Sequence, residues 1–371
     1  VALWSAVLAL GLPPPRVAGG ALVWHAHELL LGFGLAAVAG FVLTAVPEFT
    51  ATASASPRTG RLLVLLWLLG RLGVWLSGAA GLPALALAAL AHLGLIGGLL
   101  ILLLPALRTV AGRRQHAFGW ALAALFLLAA GFYVDALRGQ YPMRWLLAVL
   151  GLVMVLIIVA MSRISMRIVN RSIDEAGEGG APYLARPPKR NLAILCIVLF
   201  TLAEFWHPGG RVSGWLACAA AAALCNLMGD WHVGRPLLRR WPFMLYAVYV
   251  CMALGYALIG TALLAGGPGA SAGRHLLTMG ALGLSIYVVI SIAGRAHCGH
   301  PSDERPWVVQ GALLIGAGAM LRAGAAFAPE AATALLGMAG MCWVGSFGLM
   351  ALRMLPVLWG PRPDGGRSCE G

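Results

Sequence analysis

Apolar residues run through this chain in twelve long stretches, and polar residues collect in the short segments between them. The stretches cover 1–12, 26–46, 61–80, 84–107, 116–137, 142–161, 191–207, 213–229, 241–265, 275–293, 307–327 and 333–355. Most come near the ~20 residues that a helix needs to cross a ~30 Å hydrocarbon core. In lipid a segment must satisfy its own backbone polar groups, so each stretch is expected to be a helix. The predicted fold class is therefore all-α, a polytopic transmembrane helical bundle of about twelve spans. The first stretch is too short to cross alone. It lacks a charged leading region and a clear cleavage site, which makes it a poor signal peptide. The chain opens at Val1, and the start of the first helix is expected to lie before it.

Composition agrees with this reading. Of 371 residues 60% are hydrophobic and 11% charged, whereas a soluble domain needs many more charges to cover its surface. The basic residues also set a sidedness. Nineteen of the 26 Lys and Arg residues fall after even-numbered stretches or in the tail, and five fall after odd-numbered ones. Positive loops stay inside, so both termini are expected in the cytoplasm. The net charge of +13 is spread over six loops, which fits topology setting and anionic headgroups rather than a nucleic-acid partner. The expected organisation is one transmembrane domain over 1–371. Six spans fill 1–161, a cytoplasmic linker loop covers 162–190, and six spans with a short tail fill 191–371.

Seven cysteines are scattered, with no Cys-x-x-Cys and no Cys-x-x-Cys-His, which disfavours structural zinc and covalently attached haem. The phosphate-cradling Gly-x-x-x-x-Gly-Lys-Ser/Thr is absent, so no ATP hydrolysis is implied.

Candidate chemistry rests with the histidines. Trp24-His25-Ala26-His27-Glu28 puts three coordinating or titratable groups into four residues at a membrane boundary, where such groups are costly. On a regular helix His25 and His27 differ by about 200° and face opposite ways. His25 and Glu28 share a face. The run offers either two neighbouring sites or one ligand with a supporting partner. Gly32 and Gly34 follow one turn on, where they either clear room for a flat macrocycle or serve helix packing.

His275 opens the stretch 275–293 at the expected depth of His25 and His27, so the three are candidates to converge. His300 lies twenty-five residues further, roughly 37 Å along a helix, and cannot share a metal with His275. A cytoplasmic turn is the favoured place for it, a second inner site the other. His92 is expected near mid-membrane, where a lone histidine is more often a hydrogen-bonded core residue than a ligand. Arg71, in the middle of its stretch, costs ~2.5–3.5 kcal/mol there and requires an anionic partner such as Glu204 or a haem propionate. Arg322 poses the same question. Glu204 and His207 are spaced as Glu-x-x-His, a weak metal pattern in a single copy.

Taken together, Trp-His-Ala-His-Glu-Leu-Leu-Leu-Gly-Phe-Gly at 24–34 and Ala-Gly-Phe-Val-Leu-Thr-Ala-Val-Pro at 39–47 resemble the hallmark of the NnrS family. His275-Leu-Leu-Thr-Met-Gly-Ala-Leu-Gly and Gly299-His300-Pro301 resemble its second block. The Arg113-Arg114-Gln115 turn and a last stretch with Trp343, Phe347 and Pro356 are similar to its general pattern. The chain departs from the family at 162–170, keeping only Arg163 and Asn170, and at Tyr246, where relatives often carry a histidine.

The resemblance implies a multi-pass protein of the bacterial cytoplasmic membrane with a non-covalent b-type haem and, as a further metal, copper. Its implied partner is nitric oxide, a small apolar gas that needs no water channel, together with an electron donor if the protein turns over. Cofactor binding would fall to His25, His27, His275 and Gly32, with His92 and His300 as further metal candidates. Glu28 and Arg71 are the catalytic candidates. A haem–copper oxidoreductase and a buffer or sensor of the gas are both compatible with this set. The alternative is a secondary transporter of a metal or small solute without haem, for which helices broken in matching places of the two halves would speak.

Overall fold

The computed structural model describes residues 2–109, 115–177, 182–363 and 365. Arg113, Arg114, Glu178, Arg367 and Cys369 lie outside them. Among the described residues the chain is helical without strands, and every apolar stretch lies on a helix. In chain order the helices are α1 (Ala2–Leu10), α2 (21–50), α3 (Pro57–Leu107), α4 (His116–Leu137), α5 (Met143–Ala176) and α6 (Pro187–Trp206). There follow α7 (Arg211–Met228), α8 (Arg240–Ala265), α9 (Gly269–His297), α10 (Trp307–Gly324) and α11 (Ala332–Trp359). Nine of these described helices are long and apolar enough to cross a membrane.

Helix α3 runs 51 residues and contains two of the predicted stretches. It breaks at Gly81, whose φ of 61° and ψ of −140° end the first arm, and Pro83 then favours a new helical start. Of the linker expected at 162–190, residues 162–176 and 187–190 are helical. Helix α5 continues to Ala176 because Met161, Ser165, Val169 and Ile173 recur every fourth residue and are all buried. After it, Tyr183 is tied back by Asn170, which accepts from the Tyr183 backbone N–H at 2.7 Å and donates to its carbonyl at 3.1 Å.

Helices α2 and α9 are not regular. In α2 an α-helical turn, Ala21–His27, passes into a π-helical segment, Glu28–Gly34, before α geometry resumes at Leu35. In α9 Gly269–His275 passes into a second π segment, Leu276–Gly283, and a third covers Ile290–Gly294. The first two begin at the residue after a histidine. Such segments widen the helix and are frequent at functional sites.

The chain divides into two compact units, one of residues 13–152 and one of 1–12 with 153–365. Within the first, α2 packs on α3, and α3 packs on α4. Within the second, α6, α7, α8, α9, α10 and α11 pack in succession, and α1 lies on α11. Glycine permits the closest of these approaches: a Cβ at Gly273 would stand 2.3 Å from the Gly255 carbonyl oxygen, so α8 and α9 meet backbone to backbone.

Candidate functional site

In the first unit, five polar side chains from α2, α3 and α4 meet among apolar neighbours. His27 ends the first α-helical part of α2 and is completely buried, while His25, two residues earlier, is half-buried. The opposed faces expected of an α-helical turn thus hold. Glu28, the first π-helical residue, does not pair with the face of His25. Its Oε1 lies 3.3 Å from His27 Nδ1, and its Oε2 accepts from Arg71 Nε at 2.8 Å. The partner of Arg71 is therefore Glu28, not Glu204. Stacking reinforces the pair, with the Arg71 guanidinium 4.7 Å from the Trp67 ring centroid. Trp67 in turn donates from Nε1 to the Gly32 carbonyl at 2.8 Å, within the π segment. Arg71 donates to Glu28 from both Nε and Nη2, and two such bonds, at about 1.5–3 kcal/mol each for a charged partner, are together of the size of the insertion cost of a membrane arginine.

Tyr133, on α4, joins the second half of the cluster. Its hydroxyl lies 3.3 Å from His27 Nε2 and 2.5 Å from His92 Nδ1. A phenol has one proton to give, so one imidazole accepts from Tyr133 and the other donates to it. Phe132 closes the cluster on one side, its ring 5.6 Å from that of His27, and the His27 and His92 rings stand 5.3 Å apart.

His92 is fully buried, and no atom among the described residues bonds its Nε2. That nitrogen faces α3 at Gly70, where a Cβ would come within 2.3 Å of it. The absence of a side chain at Gly70 is what admits the ring. Gly32 has no such role, since a Cβ there meets Arg71 Nε and Glu28 Oε2 only at 3.5 and 3.7 Å.

In the second unit His275 is half-buried and its Nδ1 donates to the Ser271 carbonyl at 2.8 Å. This bond fixes the tautomer and leaves the lone pair on Nε2, the arrangement that holds metal-ligating histidines in orientation. Arg274 directly precedes His275, and Arg322 lies on α10, which packs against this part of α9. Arg274 is 3.7 Å from Glu204, whose carboxylate also accepts from the Gly209 N–H at 3.1 Å. His207 is exposed, whereas Glu204 is half-buried and engaged by Arg274 and the Gly209 N–H. His300 lies in the turn that ends α9: Gly299 has φ 72°, and the His300 N–H bonds the Arg295 carbonyl at 3.0 Å.

The donor sets differ in what they fit. His275, anchored through Nδ1, has the donor chemistry that would hold a haem iron. Both nitrogens of His27 already face partners, and one nitrogen of His92 does, so these two fit a hydrogen-bonded network better than a coordination shell. Among the described residues no three of His, Cys, Asp and Glu gather as a metal would require, and the arrangement does not fit a three-ligand copper centre.

Of the candidates named from sequence, His27, Glu28, Arg71 and His92 are the ones brought together in this cluster, while Tyr133, Phe132 and Trp67 were missed. Nothing distinguishes these aromatics within apolar runs; the one available signal was the spacing of Trp67 and Arg71, four residues apart on one helical face.

Comparison with known proteins gives one match of wide extent. The family model described as NnrS protein matches residues 1–362. No curated protein and no solved structure matches the chain significantly.

Proposed function

The chain belongs to the NnrS family, and from that premise we propose that it is a haem-binding protein of the bacterial cytoplasmic membrane that binds or detoxifies nitric oxide. In this reading it crosses the membrane twelve times, with both termini in the cytoplasm. The observation that carries it is the 2.8 Å bond from His275 Nδ1 to the Ser271 carbonyl, which orients the ring and makes Nε2 the nitrogen that would hold the haem iron.

A bound haem would supply an iron centre for a diatomic gas. The chain's own residues do the rest. His275 holds and orients the group. Glu28 and Arg71 neutralise each other beside the His27 ring, and Tyr133 keeps both neighbouring imidazoles oriented. Leu276, Leu277 and Met279, all buried, exclude water from the helix after His275. No step is assigned to copper.

The test is a reduced-minus-oxidised optical spectrum of the detergent-purified protein, with metal content measured, repeated with nitric oxide and in His275→Ala. A Soret band that shifts with the gas and is lost in the variant is expected. A colourless protein overturns the reading.

A second reading, a transporter of a metal or small solute, is favoured by one observation. Helices α2 and α9 carry π-helical interruptions directly after His27 and His275, and interrupted helices at matching places mark transporter binding sites. A colourless protein that accumulates a metal in vesicles would select it.

A further inference from the structure

Each unit contains the same local module. In the first, His27 is followed by a π segment with Gly32 five residues on, and the next helix carries Arg71-x-Gly73. In the second, His275 is followed by a π segment with Gly280 five residues on, and the next helix carries Arg322-x-Gly324. Arg71 is the fifteenth residue of α3, and Arg322 the sixteenth of α10. Each arginine stands on the helix packed against the π segment of its own module: Arg71 pairs with Glu28, and Arg322 lies on α10, which packs against both Gly269–His275 and Leu276–Gly283 of α9.

The modules differ in one group. Arg71 is neutralised by Glu28, the first residue of its π segment. The corresponding first residue beside His275 is Leu276, which is apolar. The other acid nearby, Glu204, is 3.7 Å from Arg274 and bound to the Gly209 N–H. Among the described residues no carboxylate stands within ion-pair reach of Arg322 and nothing accepts a hydrogen bond from it, although it is half-buried. A guanidinium in that setting calls for an anion, and its planar fork matches a carboxylate in two-point contact.

We infer that Arg322 receives a carboxylate of the ligand held at His275, which on the reading proposed above is a haem propionate. Arg322 is then a binding residue, doing for the ligand what Arg71 does for Glu28.

The test compares iron mesoporphyrin with its dimethyl ester, titrated into the full-length protein stripped of pigment, in one detergent. The wild type is expected to hold the diacid roughly tenfold more tightly than the ester. Arg322→Leu should bind both as the wild type binds the ester, and Arg322→Lys should recover part of the preference. If Arg322 only faces headgroups and water, the preference is absent or survives Arg322→Leu, and the inference is overturned. If the wild type binds neither porphyrin, the haem reading itself fails and takes this inference with it. Should Arg322→Leu not fold, Arg322→Gln with the same two porphyrins gives the answer.

Discussion

The phenol of Tyr133 and the imidazole of His92 are joined at 2.5 Å, and the same hydroxyl reaches His27 Nε2 at 3.3 Å. One oxygen therefore orients two buried rings from two other helices, and it does so from a position whose neighbours in sequence are apolar. Tyr133→Phe removes that oxygen while keeping the ring. Two buried polar nitrogens then lose a partner, and a loss of about 1–3 kcal/mol is expected for the more costly of them. Thermal unfolding in detergent measures the loss. Histidine side-chain NMR should show both imidazoles changing together; a change at one alone would separate the pair.

The Glu28–Arg71 pair gives a second expectation. Removing one member leaves the other charge unpaired in a largely apolar setting, at a cost of about 3–5 kcal/mol where burial is complete. Arg71 retains a third of its exposure, so the smaller figure applies to Glu28→Gln. The double variant Glu28→Gln with Arg71→Leu should recover much of the loss. Additive losses in the double variant would show that the two side chains are not coupled.

Two glycines separate packing from clearance. Gly70→Ala drives a methyl into the His92 ring, and overpacking of this kind costs about 1–3 kcal/mol. Gly32→Ala meets only ordinary contacts and gains helix propensity, so its stability should change by less than about 1 kcal/mol. Unfolding midpoints of the two variants in the same detergent decide the point.

Asp303, in the loop after α9, predicts a pH dependence. Hydrogen bonds from Arg305, at 2.9 Å from Nε to Oδ1, hold its carboxyl well below the usual range, and Trp307 Nε1 donates to it at 2.9 Å. A depressed folded-state pKa contributes stability that is complete above the unfolded value of about 3.9 and is lost as pH falls toward the folded value. Stability measured against pH for the wild type and Asp303→Asn should differ by a constant amount at neutral pH and converge in acid. A gap that stays constant into acid would contradict the assignment.

Much of the fold was legible because lipid imposes a length on apolar runs. The stretch 116–137 reappears as His116–Leu137, and 241–265 differs from Arg240–Ala265 by one residue. Ser162 to Ala176 misled because its charges look like loop, while the buried positions that hold it helical are a modest set spaced by four. Within the site, the costly residues announced themselves: His27, Glu28 and Arg71 are polar where apolar residues are expected. Their partners did not. Arg71 finds Glu28 across 43 positions, and Tyr133 finds His92 across 41, distances in sequence that no local pattern encodes. The repeated His-x-x-x-x-Gly of α2 and α9 was equally hidden, since only the change of backbone hydrogen bonding after each histidine sets it apart from ordinary helix.

The break at Gly81 bears on how the chain enters a membrane. The two arms of α3 are separated by one left-handed residue, with no polar loop between them. Nothing hydrophilic has to be carried across ahead of the second arm, so the pair can leave the insertion machinery together as a hairpin. The residue at 81 acts as its crease: any side chain there meets the penalty of a left-handed backbone, about 1–2 kcal/mol, while the nascent chain is still turning. The cost of such a change would fall on the yield of inserted protein before it touched any cofactor.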